Sequence, residues 1–339
     1  MLPFEFVRAE TERGALQAIA ETGPAAADAR PPNYLAGGTT LLDLMKIEVM
    51  TPPRIVDINA LSDGPYRRIA KDQRGLRLGA LVRMSEAAEH ADVATDYPLL
   101  SQSLKLAASQ QLRNMASLAG NVLQRTRCNY FRDVSYAQCN KRAPGSGCAA
   151  LEGVNRSHAV LGASEQCIAT YPGDFAQALI ALDARVALAG PEGAREMAFS
   201  DLHRRPGQTP NIETTLKPGE LITEFVVPAS AAARRSVYLK IRDRQSYEFA
   251  LASAAVALDL DDGRIRDARI ALGGVATVPW RAHEAEKALQ GKQPNQQAFK
   301  AAADAAFVTA KPYQHNAFKI ELGKRTLVRA LQDASTLHI

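Results

Sequence analysis

The sequence is short of several features that would each have pointed to a function. No uninterrupted apolar run approaches the roughly 18 residues that a membrane-spanning helix needs, so no membrane span is expected. Aromatic residues make up only 6% of the 339 residues, with one tryptophan, and no long Lys/Arg block occurs. The net charge of +5 therefore lacks the basic and aromatic surface that nucleic-acid binding wants, and no nucleic-acid partner is expected. Met1 to Glu10 has no basic segment followed by an apolar stretch and a small-residue cleavage site, so the chain is expected to carry no export signal of its own. The arginine pairs Arg67-Arg68, Arg204-Arg205 and Arg234-Arg235 are internal and read as solvated surface. No Ser/His/Asp set or carboxylate pair stands out as catalytic machinery. Cysteine is missing everywhere except one segment, where Cys128, Cys139, Cys148 and Cys167 crowd together.

What is present is a globular chain, 46% hydrophobic and 23% charged, long enough for two or three domains. Phe4 to Arg8 alternates like a strand, Thr11 can cap a helix carrying Leu16 and Ile19, and Asn33 to Ala36 leads as a strand into Gly37-Gly38-Thr39-Thr40. Leu41 to Met50 is helical up to Pro52-Pro53, and Arg54 to Ile58 reads as a further strand. Leu76 to Val82 reads as a strand, Ser85 as a helix cap, and Leu99 to Ser109 as a helix. Residues 123–172 show little periodicity, and so long a stretch is uncommon unless it is functional. Asp174 is a plausible cap for a helix over Phe175 to Leu182, with a strand over Arg185 to Ala189. Beyond Pro228, the runs Glu248–Leu260 and Arg264–Gly273 flank Asp261-Asp262-Gly263, a hairpin signal. Helices over His283–Gln290, Gln296–Ala310 and Phe318–Ala334 close the chain. The expected division is 1–57, 58–228 with an insertion at 123–172, and 229–339.

The glycine turn between strand and helix exposes backbone N–H groups to which a phosphate can bind, though it matches neither GxxxxGKS/T nor GxGxxG and equally suits a plain connection. Three segments together carry more. Tyr34-Leu35-Ala36-Gly37-Gly38-Thr39-Thr40-Leu41-Leu42, then Ala116 to Val122, then Pro172 to Asp183 resemble, in order, the FAD-binding subunits of the xanthine dehydrogenase and carbon monoxide dehydrogenase family. The resemblance implies an α+β protein: an FAD-binding type-2 (PCMH-like) fold of two α/β subdomains plus a C-terminal sheet-and-three-helix domain of the carbon monoxide dehydrogenase flavoprotein type. It places the pyrophosphate loop on residues 34–42 and a second flavin loop on Ser117, Leu118, Ala119, Gly120 and Asn121. It further implies flavin contacts at Ala107, Asp174, Ile222 and Lys240. Asp174 reads equally as a helix cap and Lys240 as an exposed strand residue. Ala119 stands where many members have glycine, at little cost if its φ is negative.

The cysteines are separated by ten, eight and eighteen residues, which fits no CxxC zinc ribbon or ferredoxin run. Four thiols in one loop favour a four-thiolate site, and tetrahedral sulfur ligation suits zinc or a 4Fe-4S cluster alike. Arg127 to Arg132, Cys139 to Cys148 and Asn155 to Gly162 resemble the insertion of bacterial aldehyde oxidoreductase FAD subunits, which implies 4Fe-4S. Arg125, Arg127, Arg132, Lys141, Arg142 and Arg156 would offset an anionic cluster and raise its potential, or else form a basic solvated loop. His158 reads as a hydrogen-bonded loop histidine.

The resemblance implies electron relay: a molybdenum-cofactor large subunit and a 2Fe-2S small subunit deliver electrons through FAD here to an external acceptor. It leaves the compartment open, cytoplasmic or periplasmic by co-export with a partner. The alternatives are the FAD subunit of a 4-hydroxybenzoyl-CoA reductase-like enzyme, and a non-enzymatic module with structural zinc.

Overall fold

The computed structural model describes residues 1–21 and 30–339. Its first sheet is parallel throughout: β1 (Glu5–Arg8) and β2 (Asn33–Leu35) both pair with β3 (Arg54–Asp57). The crossovers carry α1 (Glu12–Ala20), whose N-cap Thr11 accepts from the Gly14 N–H, and α2 (Leu41–Lys46). A short polar cap, a nine-residue helix and a turn of glycines are what a compact βαβ crossover requires.

The second sheet is antiparallel throughout, in the order β4-β5-β8-β6-β7. β4 (Ile69–Asp72) and β5 (Gly75–Gly79) form one hairpin and β6 (Arg185–Gly190) and β7 (Gly193–Ala198) another, with β8 (Leu221–Pro228) between them. Between the hairpins the chain runs through α3 (Met84–Glu89), α4 (Ala91–Asp96), α5 (Pro98–Leu106), α6 (Gln110–Met115), α7 (Leu118–Val122), α8 (Asn129–Arg132) and α9 (Phe175–Ala181). The cap of α3 is Arg83, so Ser85 lies inside that helix. Every residue of α9 is buried, and Phe175 and Phe225 meet edge to face with ring centroids 6.0 Å apart. Burying such a ring is worth roughly 2–3 kcal/mol. Val56 and Ile58 join Leu76, Leu78 and Phe225 in one core, so the first two sheets share a single hydrophobic interior.

The third sheet is an antiparallel meander, β12-β11-β10-β9, with a core of its own. It comprises β9 (Ser236–Ile241), β10 (Ala252–Asp261), β11 (Arg264–Gly273) and β12 (Trp280–Arg281). The hairpin read from Asp261-Asp262-Gly263 is present: Asp261 pairs with Arg264, and Asp262 (φ 47°) and Gly263 (φ 70°) take the left-handed conformations of a two-residue hairpin turn. α10 (His283–Leu289), α11 (Gln296–Ala306) and α12 (Phe318–Ser335) supply Leu289, Phe299 and Leu327 to that core. No helix among the described residues is long and apolar enough to cross a membrane.

Candidate functional site

The turn after β2 and the segment leading into α7 lie against each other. A Cβ on Gly37 would collide with the Met115 carbonyl, and Gly38 sits at φ 74°, where a side chain is strained. The approach is fixed by polar ties. The Asn59 side-chain amide donates to the Ala36 carbonyl at 2.8 Å, and Arg83 reaches both Asn59 Oδ1 and the Met115 carbonyl. Tyr34 Oη donates to the Gly219 carbonyl at 2.9 Å, joining the first sheet to the strand entry of β8.

Between these segments opens a cavity of about 560 Å³. Of the residues implied by resemblance, Tyr34, Ala36, Gly37, Gly38, Thr39, Thr40, Leu41, Ser117, Ala119, Gly120 and Ile222 line it. The N–H groups of Gly37, Gly38, Thr39 and Thr40 donate to no partner among the described residues, as an anion-accepting turn would have them. In the second loop the Leu118 and Ala119 N–H groups bond to the Val82 and Ala80 carbonyls, and Gly120 N–H caps onto Ser117 Oγ. That loop therefore offers surface more than donors. Asn121 Oδ1 is buried with no partner.

Leu35, Leu42, Ala107, Leu118, Asn121, Asp174 and Lys240 are placed off the cavity lining. Asp174 and Lys240 instead form a buried ion pair, 2.7 Å apart, with Tyr238 Oη donating to the same carboxylate. Asp174 starts α9 without capping it through its side chain, and Lys240 is 9% exposed, so both plain readings of these residues give way to a tie between α9 and β9. Sequence reasoning passed over part of the wall: Tyr171, His203 and Glu213 line the cavity, delivered by segments with no distinguishing local pattern. Burial pushes His203 down to about 4. Burial alone would raise the Glu213 carboxyl, but Arg125 at 2.5 Å and Lys141 at 2.7 Å outweigh it and hold it below the usual range.

Cys128, Cys139, Cys148 and Cys167 all line a second, smaller cavity. Cys139 and Cys148 face each other across an isolated antiparallel bridge, and Cys128, Cys139 and Cys167 share an apolar cluster with Leu44 and Phe131. Lys141, Cys167 and Ala169 line both cavities, so the two adjoin. The thiols are free. Burial pushes Cys128 up to about 12, and burial likewise raises Cys167 against the opposing pull of Lys141. No group of three or more His, Cys, Asp or Glu among the described residues is arranged to hold a metal ion. His158 Nε2 lies 3.2 Å from Cys128 Sγ, in keeping with its reading as a hydrogen-bonding histidine.

The basic residues of this segment are more neutralised than expected. Arg125 and Lys141 share Glu213, Arg127 and Arg132 share Asp43, and Arg156 pairs with Asp243. Arg142 instead donates to the carbonyls of Tyr130, Phe131, Asp133 and Tyr136, gathering the loop around itself.

Fold and site together define a flavoprotein of the molybdenum hydroxylase group, and the chain belongs to that family. Residues 2–230 match the FAD binding domain in molybdopterin dehydrogenase, and residues 237–334 match the CO dehydrogenase flavoprotein C-terminal domain. The chain is 49% identical to the aldehyde oxidoreductase FAD-binding subunit PaoB of Escherichia coli, over 89% of this chain and 91% of that one. It is 28% identical to the glyceraldehyde dehydrogenase medium chain of Sulfolobus acidocaldarius, over 86% and 83%. Among solved structures, carbon monoxide dehydrogenase from Hydrogenophaga pseudoflava superposes with a TM-score of 0.75 at 27% identity, covering 98% of both chains. The chain is accordingly an oxidoreductase subunit with an FAD-binding domain.

Proposed function

We propose that this chain is the FAD and 4Fe-4S electron-transfer subunit of a molybdenum-containing aldehyde oxidoreductase, taking electrons from molybdenum and 2Fe-2S partner subunits and passing them through FAD to an external acceptor. The observation that carries the reading is the pair of adjoining cavities, one walled by the glycine turn and the other by all four cysteines, with Cys167 in both walls.

The residues present suit both groups. Gly37 to Thr40 offer unpaired N–H groups and no side chain at the closest approach, which is what a pyrophosphate requires. The cysteines share one cavity, yet no three of them are set to hold a single metal ion. A single zinc ion needs its sulfurs about 2.3 Å from one centre, whereas a multi-iron core lets them stand farther apart. When bound, FAD supplies hydride and single-electron transfer, and the protein supplies placement and electrostatics. Asn59 and Arg83 hold the two flavin loops in register. Ile222 and Tyr171 give the cavity apolar wall, and the Arg125–Glu213–Lys141 group sets the charge where the two cavities meet.

The aldehyde reading is preferred because PaoB, an aldehyde oxidoreductase subunit, is 49% identical to this chain. A 4-hydroxybenzoyl-CoA reductase-like role remains the second reading, carried by the same cysteine loop. The test is reconstitution. The purified chain alone is expected to reduce a dye from a chemical reductant but to leave aldehydes untouched, with aldehyde-dependent dye reduction appearing once the molybdenum and 2Fe-2S subunits are added. Steady aldehyde turnover by the single chain overturns the subunit role.

A further inference from the structure

We propose that Asp43 is a positioning residue that sets the cysteine insertion against the flavin cavity, so that filling either site tightens the other. The inference rests on the reading above of what the two cavities hold.

The α2 helix touches both sites. The turn that enters it, Gly37 to Thr40, lines the larger cavity. Three residues on, the Asp43 carboxylate accepts Arg132 through both terminal guanidinium nitrogens, at 2.8 and 3.1 Å, and Arg127 at 3.0 Å. Leu44, 1% exposed, packs in the same apolar cluster as Cys128, Cys139 and Cys167. The two arginines bracket Cys128. Arg127 precedes it, and Arg132 ends the α8 helix that Cys128 begins, its N–H bonded to the Cys128 carbonyl at 3.0 Å. Neither arginine has a second carboxylate partner among the described residues.

A two-pronged guanidinium–carboxylate contact fixes orientation as well as distance. Any shift of Cys128 on losing its ligand is therefore passed through Arg127 and Arg132 to Asp43, and so to the turn that cradles the flavin. Arg127 makes the link stiff: it also stacks over Phe249, 5.0 Å from the ring centroid, and its Nε is buried without a partner. It has little freedom to find another counter-ion. Coupling of this kind is reciprocal by thermodynamic necessity, so flavin must stabilise the cysteine site as much as the cysteine site stabilises flavin.

The experiment uses the full chain purified anaerobically, with its iron intact or removed by a chelator, and reads FAD affinity from flavin fluorescence. Iron removal from the wild-type chain is expected to weaken FAD binding at least about fivefold, the lower end of ordinary coupling between sites. Asp43→Asn is expected to bind FAD more weakly even when iron-loaded, with little further change on chelation. Arg132→Lys keeps the charge but loses the two-pronged contact, and serves if Asp43→Asn does not fold; its coupling should fall as well. An iron-loaded chain whose FAD affinity ignores iron removal overturns the inference alone, as does full coupling surviving in both variants. A chain that binds FAD but never carries iron overturns the cysteine-site reading, and this inference with it.

Discussion

The two cavities are neighbours built on different principles. The larger one is walled by β2 and its glycine turn, α7 and the start of β8, together with part of residues 123–172, so strands and helices supply much of its wall. The smaller one lies within residues 123–172, where the only regular element is the four-residue α8. Side chains do there what backbone ladders do elsewhere. Arg142 collects four carbonyls, and Asn140 bonds the Gly147 N–H and the Gln166 side chain. From the C-terminal domain, Asn316 and Lys319 reach in to the carbonyls at 157–159. The larger cavity is thus walled largely by regular elements of the fold, while the smaller one is held by side-chain cross-ties.

The harshest way to break the comparison is to damage the larger cavity. Gly37→Val drives a side chain into the Met115 backbone and should cost at least about 3 kcal/mol by overpacking, emptying the flavin site; flavin content and thermal melting read it. Gly38→Ala meets the strained φ of 74° and the flexible Leu42 and Leu35 side chains, and should cost about 1–2 kcal/mol. Next in size are single Cys→Ser changes in the cross-tied cavity. These should strip iron and sulfide and loosen residues 123–172 to hydrogen exchange, while leaving the protection of residues 230–339 in place.

A third prediction concerns the tie between the insertion and the C-terminal domain. Burial, with a lesser push from Arg156, depresses Lys319 from 10.5 to about 7. Between those values the unfolded chain holds the extra proton, so stability should rise with pH across the window, by on the order of 2 kcal/mol from about pH 7 to about pH 9. Lys319→Met should remove that slope, as checked by denaturant unfolding at the two pH values. The smallest effect is expected at Arg156 and Asp243, roughly half-exposed and paired at 2.7 Å. Asp243→Asn should change stability by under about 1 kcal/mol and leave iron content unaltered.

Much of the larger cavity's wall was legible in the sequence because regular elements supply it. Strand, glycine pair and helix at residues 33–46 are local signals, as is the Asp-Gly hairpin of the third sheet. The short edge strands β4, β7 and β12 left no usable pattern: each pairs with its neighbour in sequence, but none has the buried, alternating apolar face that marks a strand. Asp174 and Lys240 show the limit most clearly. Each has a plausible local role, and only the fold reveals that residues 66 apart pair in the interior. His203 and Glu213 reach the cavity from a segment between β7 and β8 whose sequence carries no periodicity to follow. In the insertion, the clustering of the cysteines told that something holds them, while the pairing of its arginines with Asp43, Glu213 and Asp243 was out of reach of spacing arguments.

If the proposed function is right, the two adjoining cavities are two redox sites in one chain. Metal, sulfide and flavin analysis of the anaerobically purified protein tests it most directly. One FAD per chain is expected, together with iron and acid-labile sulfide in equal amounts and a yellow-brown colour. Stoichiometric zinc with no iron, or a colourless chain, would contradict it.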